Sequence, residues 1–326
     1  MESIHFPASR RFLHRNETAL SNRLKGDTAH MNRSLQGKAN RQQNRVFALF
    51  TVPGFLLYCM FFITPVVMGI YYSLTDWNGI SRSYNMIGLR NYARLLRSDE
   101  FRGSLLFTLE YAALLILFTL IISLALALLL NRKIKGLSFF RTIYFIPAVL
   151  SLLTVGLIFN QIYYHVIPPI GTLFGSGLLS QNLLSNSSTA MWAILFVNLW
   201  QGVAIPTLLL LAGLQNIPTD LYEAASLDGA GAWQKFRFIT IPYLLPVISV
   251  VFVLTLKSGL MVFDYIMAMT EGGPGNSTQS VAMLIYTHGF TQNKYAYSIS
   301  EAIVIGIFIA VISAVQISVS NRKKAA

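Results

Sequence analysis

The chain has 326 residues, of which 54% are apolar and only 12% are charged. A soluble globule of this composition would expose too much hydrocarbon, so the composition indicates an integral membrane protein. The period-two alternation of a membrane β-barrel is absent, which leaves membrane-spanning helices. The net charge of +12 does not indicate nucleic-acid binding, because acidic residues and many Asn, Gln and Ser residues are mixed into the basic N-terminal segment.

Residues 1–45 form this basic N-terminal arm, which we expect to lie in the cytoplasm against an anionic membrane face. A specific regulatory or docking role is the alternative. The arm is not a secretory signal, because the first apolar segment begins only at Val46 and exceeds the length of a signal-peptide core.

Six apolar segments follow, and each reaches or nearly reaches the roughly 20 residues that a helix needs to cross a bilayer. They cover residues 46–74, 111–130, 142–162, 190–214, 244–267 and 302–320. The sequence therefore predicts an all-α transmembrane domain over residues 46–320 with a short tail at 321–326. Four prolines can bend or open three of these helices. Pro53 and Pro65 lie in the first segment, Pro147 in the third and Pro206 in the fourth.

Orientation follows from the basic residues. With the N-terminus inside, the cytoplasmic segments hold roughly three times as many Lys and Arg residues as the external ones. This places both termini and the loop at 215–243 in the cytoplasm. The first external loop is nevertheless basic and either attracts an anionic ligand or docks a binding protein; its arginines are Arg82, Arg90, Arg94, Arg97 and Arg102.

The loop at 215–243 is polar but patterned like a helix. Thr219 and Asp220 are N-cap candidates after Pro218, and apolar residues then recur at helical spacing. We expect this helix to stop near Gly229, which tolerates a left-handed turn. A second short helix is predicted at 233–239, before Pro242.

These residues carry a resemblance. The stretches Glu223-Ala224-Ala225, Asp228-Gly229-Ala230, Phe236, Ile239 and Ile241-Pro242 resemble the EAA loop of permease subunits in bacterial ABC importers that are served by soluble binding proteins. The sugar-uptake branch is also similar at Asn198-Leu199-Trp200-Gln201-Gly202, Phe263-Asp264 and Thr270-Glu271-Gly272-Gly273-Pro274. The resemblance covers roughly Pro53 to Ile317.

The resemblance implies the six-helix type I importer permease fold in the bacterial cytoplasmic membrane, with the EAA loop as a coupling helix seated on an ATPase subunit. The alternative is a hairpin that only packs on its own bundle. The residues expected to engage the ATPase are Leu221, Tyr222, Glu223, Ala224, Ala225, Leu227, Asp228, Gly229 and Ala230.

The resemblance also implies a second permease subunit, two ATPase subunits and an external solute-binding protein as partners. No GxxxxGK[ST] motif occurs, so we expect ATP and Mg²⁺ to be bound by the ATPase subunits and this chain to be no enzyme. The five histidines are too scattered to indicate a metal site, and no cofactor is expected on this chain.

The sugar path is implied by similarity to maltose-type permeases. Its matching positions are Gln201, Gly202, Ile205, Thr255, Ser258, Gly259 and Val262. Lys257 and Asp264 are added because an ionisable residue within a span is costly and normally faces protein or water. They are seven residues apart, so they are predicted to share one face of the fifth helix, about 10.5 Å apart. Glu110 and Glu301 lie near the outer ends of their spans and can reach the interface.

Gly259 and Val262 depart from the Asn-rich face of the maltose subunit, which argues against a maltose-like cargo. Lys257 beside Ser258 instead favours a carboxylate, as in a uronate or alginate oligosaccharide. Neutral sugars and glycerol-phosphate-like solutes are alternatives, as is an internal ion pair for Lys257. A secondary transporter would need more mid-membrane carboxylates than Asp264 and an internal repeat. A membrane scaffold would have no use for the EAA loop.

Overall fold

The computed structural model describes residues 47–132 and 137–325, so the predicted N-terminal arm lies outside the described residues. Within those two ranges the chain is helical and contains no β-strand, only an isolated bridge between Thr75 and Met86. In these ranges, four continuous helices are long and apolar enough to cross a membrane, and the candidate spans number six when each of two bent helix pairs is counted as one span. The prediction of an all-α protein with six apolar spans is confirmed.

The spans, numbered one to six in this order, are Phe47–Ser73, Asp99–Leu130, Thr142–Val149 with Leu152–Leu173, Ser187–Gly202 with Ala204–Gln215, Ala232–Leu260 and Tyr295–Gln316. Shorter helices between them are Arg90–Arg97, Leu183–Ser185, Thr219–Leu227, Asp264–Met269 and Val281–Tyr286, the last of which continues through a π-helical turn at Thr287–Thr291. The helix of span six continues to Ala325.

The chain divides into two compact units, Met1–Met68 and Gly69–Ala326. In the first unit, the described residues are helical, with a π-helical turn at Cys59–Ile63. Pro65 follows this turn and has no N–H to donate, which explains the local widening of the helix. Its large apolar side chains, such as Phe50 and Phe61, are exposed in the isolated chain, as expected of a helix that faces lipid or another subunit.

Span two organises the second unit. Each of the four apolar clusters in the described part of the chain contains a residue of this helix, from Phe101 near its start to Ala127 near its end. The helix begins at Asp99, earlier than the predicted residue 111, because the Ser98 hydroxyl accepts a hydrogen bond from the Phe101 N–H. Asp99 and Glu100 in the first turn add a favourable interaction with the helix dipole.

Spans three and four are bent by 102° and 45°. In span three, Pro147 lies in a 3-10 turn at Ile146–Val149, after which Leu150 is extended. In span four, Pro206 lies just after the interruption at Val203 and cannot donate to the carbonyl of Gly202. The bends therefore occur beside two of the four prolines that the sequence singled out.

The predicted limits of the fifth span, 244–267, are wrong at both ends. The second short helix does not stop before Pro242; it continues through a π-helical turn at Phe236–Thr240 into the span, which starts at Ala232. The span ends at Leu260, and Asp264 starts a separate helix. Lys257 and Asp264 thus do not share a helical face, because three non-helical residues intervene.

Spans two and five pack at a glycine. A Cβ added at Gly259 would lie 2.7 Å from the Cα of Ala112, which is too close for any side chain. Small residues allow this kind of close approach between membrane helices.

We expect Gly259→Ala to destabilise the protein by about 1–3 kcal/mol, the usual cost of overpacking. Gly306→Ala is the matched control, because nothing in the described chain lies within 4 Å of its would-be Cβ. The control should be neutral or slightly stabilising. Thermal unfolding in detergent measures both variants, and equal midpoints would refute tight packing at Gly259.

Candidate functional site

Two neighbouring cavities lie where the second unit breaks its helices. The larger, of about 310 Å³, is the Lys257 cavity, and the smaller, of about 220 Å³, is the Thr255 cavity. Asn198, Leu254 and Ser258 line both. The remaining residues of the Lys257 cavity are Leu152, Lys257, Met261, Val262, Phe263, Asp264 and Tyr265, and those of the Thr255 cavity are Leu115, Thr119, Gly202, Ile205, Pro206 and Thr255.

Most of the predicted path residues line one of these cavities. Lys257, Ser258, Val262 and Asp264 line the Lys257 cavity. Gly202, Ile205, Thr255 and Ser258 line the Thr255 cavity. Gln201 and Gly259 line neither: Gln201 is buried with only 3% of its surface exposed, and Gly259 packs against Ala112 of span two.

The Lys257 cavity is lined by one positive and one negative side chain. Each lies at a helix end whose dipole charge is opposite to its own. Lys257 is in the last turn of span five, and Asp264 is in the first turn of the next helix. Both positions are favoured by the helix dipoles. The ion pairs among the described residues do not include Lys257, whose side chain is exposed to the cavity.

Asn198 is a cavity residue that the prediction of path residues missed. Its Nδ2 donates to the Tyr111 hydroxyl over 2.9 Å, and its Oδ1 would lie 3.3 Å from a Cβ at Gly202. Gly202 therefore leaves room for the Asn198 amide one turn earlier. A buried amide in an apolar span was the signal available in the sequence, since such a group is retained only with a partner.

Gln201 links the breaks of three spans. Its Nε2 donates to the carbonyl of Leu150, which is freed by the bend in span three, over 2.8 Å. Its Oε1 accepts a 2.8 Å hydrogen bond from the hydroxyl of Tyr265, a residue just after the break that follows span five. Gln201 itself is the next-to-last residue of the first half of span four. The amide thus holds the walls of the Lys257 cavity together rather than facing its interior.

The predicted helix–turn–helix in the loop at 215–243 is present. Thr219–Leu227 is followed by Gly229 at a φ of +76° and by the helix that starts at Ala232. The Ala230 N–H donates to the Ala225 carbonyl and the Gly229 N–H to the Ser226 carbonyl, which is a Schellman C-cap. The N-cap prediction is wrong: Pro218 is the N-cap residue, and Thr219 and Asp220 are already helical.

This 219–235 hairpin has one anchored side and one open side. Tyr222 shares a 2.8 Å hydroxyl contact with Thr240, and the Lys235 ammonium donates to Ser226 over 2.7 Å. Leu227 takes part in neither contact, and 89% of its surface is exposed. Among the other residues expected to engage the ATPase, five are exposed and two are half-buried. The exposed ones are Leu221, Glu223, Ala224, Asp228 and Gly229, and the half-buried ones are Ala225 and Ala230.

Residues 119–324 match the family of binding-protein-dependent transport system inner membrane components. The chain is 41% identical over 273 residues to the multiple sugar-binding transport system permease protein MsmF of Streptococcus mutans, covering 84% of this chain and 94% of the relative. It is 34% identical to the probable starch degradation products transport system permease protein AmyD of Thermoanaerobacterium thermosulfurigenes, covering 85% and 94% of the two chains.

Among solved structures, the chain resembles a bacterial ABC transporter involved in the import of the acidic polysaccharide alginate. The TM-score is 0.74 at 22% identity, over 86% of this chain and 96% of that chain. At this identity the likeness demonstrates a shared fold, which is the type I importer permease fold that the family resemblance implies.

We expect Gln201→Leu to destabilise the protein by about 1–3 kcal/mol, because it leaves the Leu150 carbonyl and the Tyr265 hydroxyl without their partner. Tyr265→Phe, which removes only one of the two bonds, should cost less. Thermal unfolding in detergent measures the effect, with Tyr164→Phe at an exposed tyrosine as the control. If Gln201→Leu were as stable as the control, Gln201 would not be the link between the three breaks.

Proposed function

The chain belongs to the family of binding-protein-dependent transport system inner membrane components, and from this premise we propose that its two cavities form part of the path of an oligosaccharide across the membrane. It is a multi-pass permease subunit of a sugar ABC importer. The residues around Lys257 and Thr255 then line the substrate path, and the substrate crosses by alternating access. This chain carries out no chemical step.

The observation that carries the proposal is the coincidence of cavities and helix breaks. Non-helical backbone at membrane depth is tolerated only where it is buried in protein or lines a water-filled cavity. The residues after span five, Met261 to Phe263, are non-helical and line the Lys257 cavity. Interrupted helices of this kind form binding sites near the middle of other transporters.

We propose an acidic oligosaccharide, such as a uronate or alginate fragment, as the preferred cargo. Lys257 reaches the cavity with no ion-pair partner among the described residues, which supports a role in attracting a carboxylate. Ser258 beside it adds a hydroxyl that can bind a sugar.

Neutral oligosaccharide is the second candidate, and Asp264 is the observation in its favour. Its carboxylate lines the same cavity as Lys257, so the two charges offset each other and a carboxylated sugar would also meet repulsion. The starch-product permease named above, at 34% identity, also supports a neutral cargo, because the sugars released from starch carry no charge.

For energy coupling, we propose that the 219–235 hairpin docks on an ATPase subunit. The anchored side transmits movement to span five through Tyr222 and Thr240, and the open side offers apolar area at Leu221 and Leu227 with a charge at Glu223. The partners in this proposal are two ATPase subunits that bind ATP and Mg²⁺, a second permease subunit and an external solute-binding protein. The hairpin and both termini are then cytoplasmic.

We expect Lys257→Met to raise the half-saturating concentration of tri-galacturonate for ATPase stimulation by about tenfold or more, because a hydrogen bond to a charged group is lost. Stimulation by maltotriose should be unchanged, and Arg102→Gln, outside both cavities, is the charge-matched control. The measurement uses the reconstituted importer with its binding protein. Stimulation by maltotriose alone would end the acidic-cargo proposal and favour the neutral one.

We expect Gly229→Leu to abolish the stimulated ATP hydrolysis without preventing membrane insertion. The substitution strains a left-handed residue by about 1–2 kcal/mol and places a bulky side chain on the open side of the hairpin. Gly175→Leu is the matched control, since Gly175 also has a positive φ, +69°, and open space at its Cβ. Stimulation that survives in Gly229→Leu would refute the docking role of the hairpin.

A further inference from the structure

A third cavity, of about 550 Å³, lies at the start of span two and is called the arginine cavity here. Its lining residues are Arg90, Ala93, Arg94, Arg97, Ser98, Glu100, His288, Lys294 and Tyr297. It belongs to the opposite end of span two from the 219–235 hairpin, because Tyr222 packs in the cluster of Ala127. Span two has 32 residues and is therefore about 48 Å long, which separates this cavity from the hairpin. The arginine cavity also shares no lining residue with the Lys257 cavity or the Thr255 cavity.

The positive charges of the arginine cavity form a row. Arg90, Arg94 and Arg97 are spaced i, i+4 and i+7 on the helix Arg90–Arg97, so they share one face. Their backbone positions advance by about 6 Å and then about 4.5 Å along the helix. Lys294 adds a fourth cation from the loop before span six. The ion pairs among the described residues include none of these four side chains.

The acidic residues nearby are directed to His288 instead. Glu100 is the one carboxylate that lines the cavity, and its Oε2 lies 3.5 Å from the His288 Nε2. The Nδ1 on the other side of the ring lies 2.8 Å from Glu301. Glu301 is fully buried, so the expectation that it reaches the interface is wrong. The row of cations therefore keeps an excess of positive charge that a ligand can neutralise.

We propose that the arginine cavity binds an oligosaccharide with repeating carboxylates before it enters the membrane path. Guanidinium groups pair with carboxylates in a planar, two-bond geometry, and a row of them fits a linear chain of acidic sugars better than a single anion. A volume of about 550 Å³ is in the range of small-ligand sites. This inference rests on the proposed function in two respects: the ligand is taken to be a saccharide, and the arginine cavity is taken to lie on the external side of the membrane.

The test is direct binding of tri-galacturonate to the assembled importer without its binding protein, in phosphatidylcholine nanodiscs. We expect Arg94→Gln to weaken binding about tenfold or more, and Arg94→Lys, which keeps the charge but loses the fork, to lie between. Arg102→Gln is the matched control, because Arg102 pairs with Asp99 and the Leu96 carbonyl outside the cavity. Binding should also persist in Lys257→Met and be absent for maltotriose.

Three results would overturn the proposal. Equal binding of tri-galacturonate and maltotriose would show that carboxylates are not recognised. Loss of binding in Lys257→Met but not in Arg94→Gln would place the anion in the membrane cavity. Weaker association of the solute-binding protein with Arg94→Gln, with unchanged binding of tri-galacturonate, would make the row a docking surface for an acidic protein. Failure of transport alone would count against the proposed function and not against this site.

Discussion

Backbone groups inside a bilayer need hydrogen-bond partners, and this requirement governs where the chain interrupts its helices. At three places in the second unit where a helix breaks or ends, a polar side chain from another element donates to a freed carbonyl. Gln201 donates to Leu150 at the bend of span three, Ser280 donates to Val262 after span five, and Asn160 donates to the last carbonyls of Asp264–Met269. The breaks are thereby stable enough to enclose cavities.

The same arrangement makes the cavities sensitive to movement. Gln201 bonds to two elements that are distant in sequence, so a change in the bend of one span must either carry the others with it or break a buried hydrogen bond. At the far end of the second unit, the Schellman turn at Gly229 and the Tyr222–Thr240 contact hold the hairpin on the start of span five. Span five therefore connects the hairpin directly to Lys257 and to the break that follows it.

Charge is distributed along the second unit in two different ways. Lys257 and Asp264 stand singly at helix ends, where the dipoles offset part of the cost of placing them near the membrane interior. Arg90, Arg94 and Arg97 form a continuous row just before the start of span two, where their side chains are exposed and water can solvate them. Isolated charges suit orientation of a ligand within a narrow path, whereas a row suits attraction of a ligand from solution.

By itself, the sequence determined the helical class, the six spans and the hairpin with its turn at Gly229, because hydrophobic run length and local turn chemistry are short-range properties. Span ends were less predictable: span two begins at Asp99 because Ser98 caps it, and span five ends before Val262 because Ser280 accommodates the break. Only the tertiary structure decided that Gln201 faces Leu150 and Tyr265 rather than the cavity, and that Glu301 is buried against His288. Those placements depend on contacts between residues far apart in the chain, which periodicity and composition do not encode.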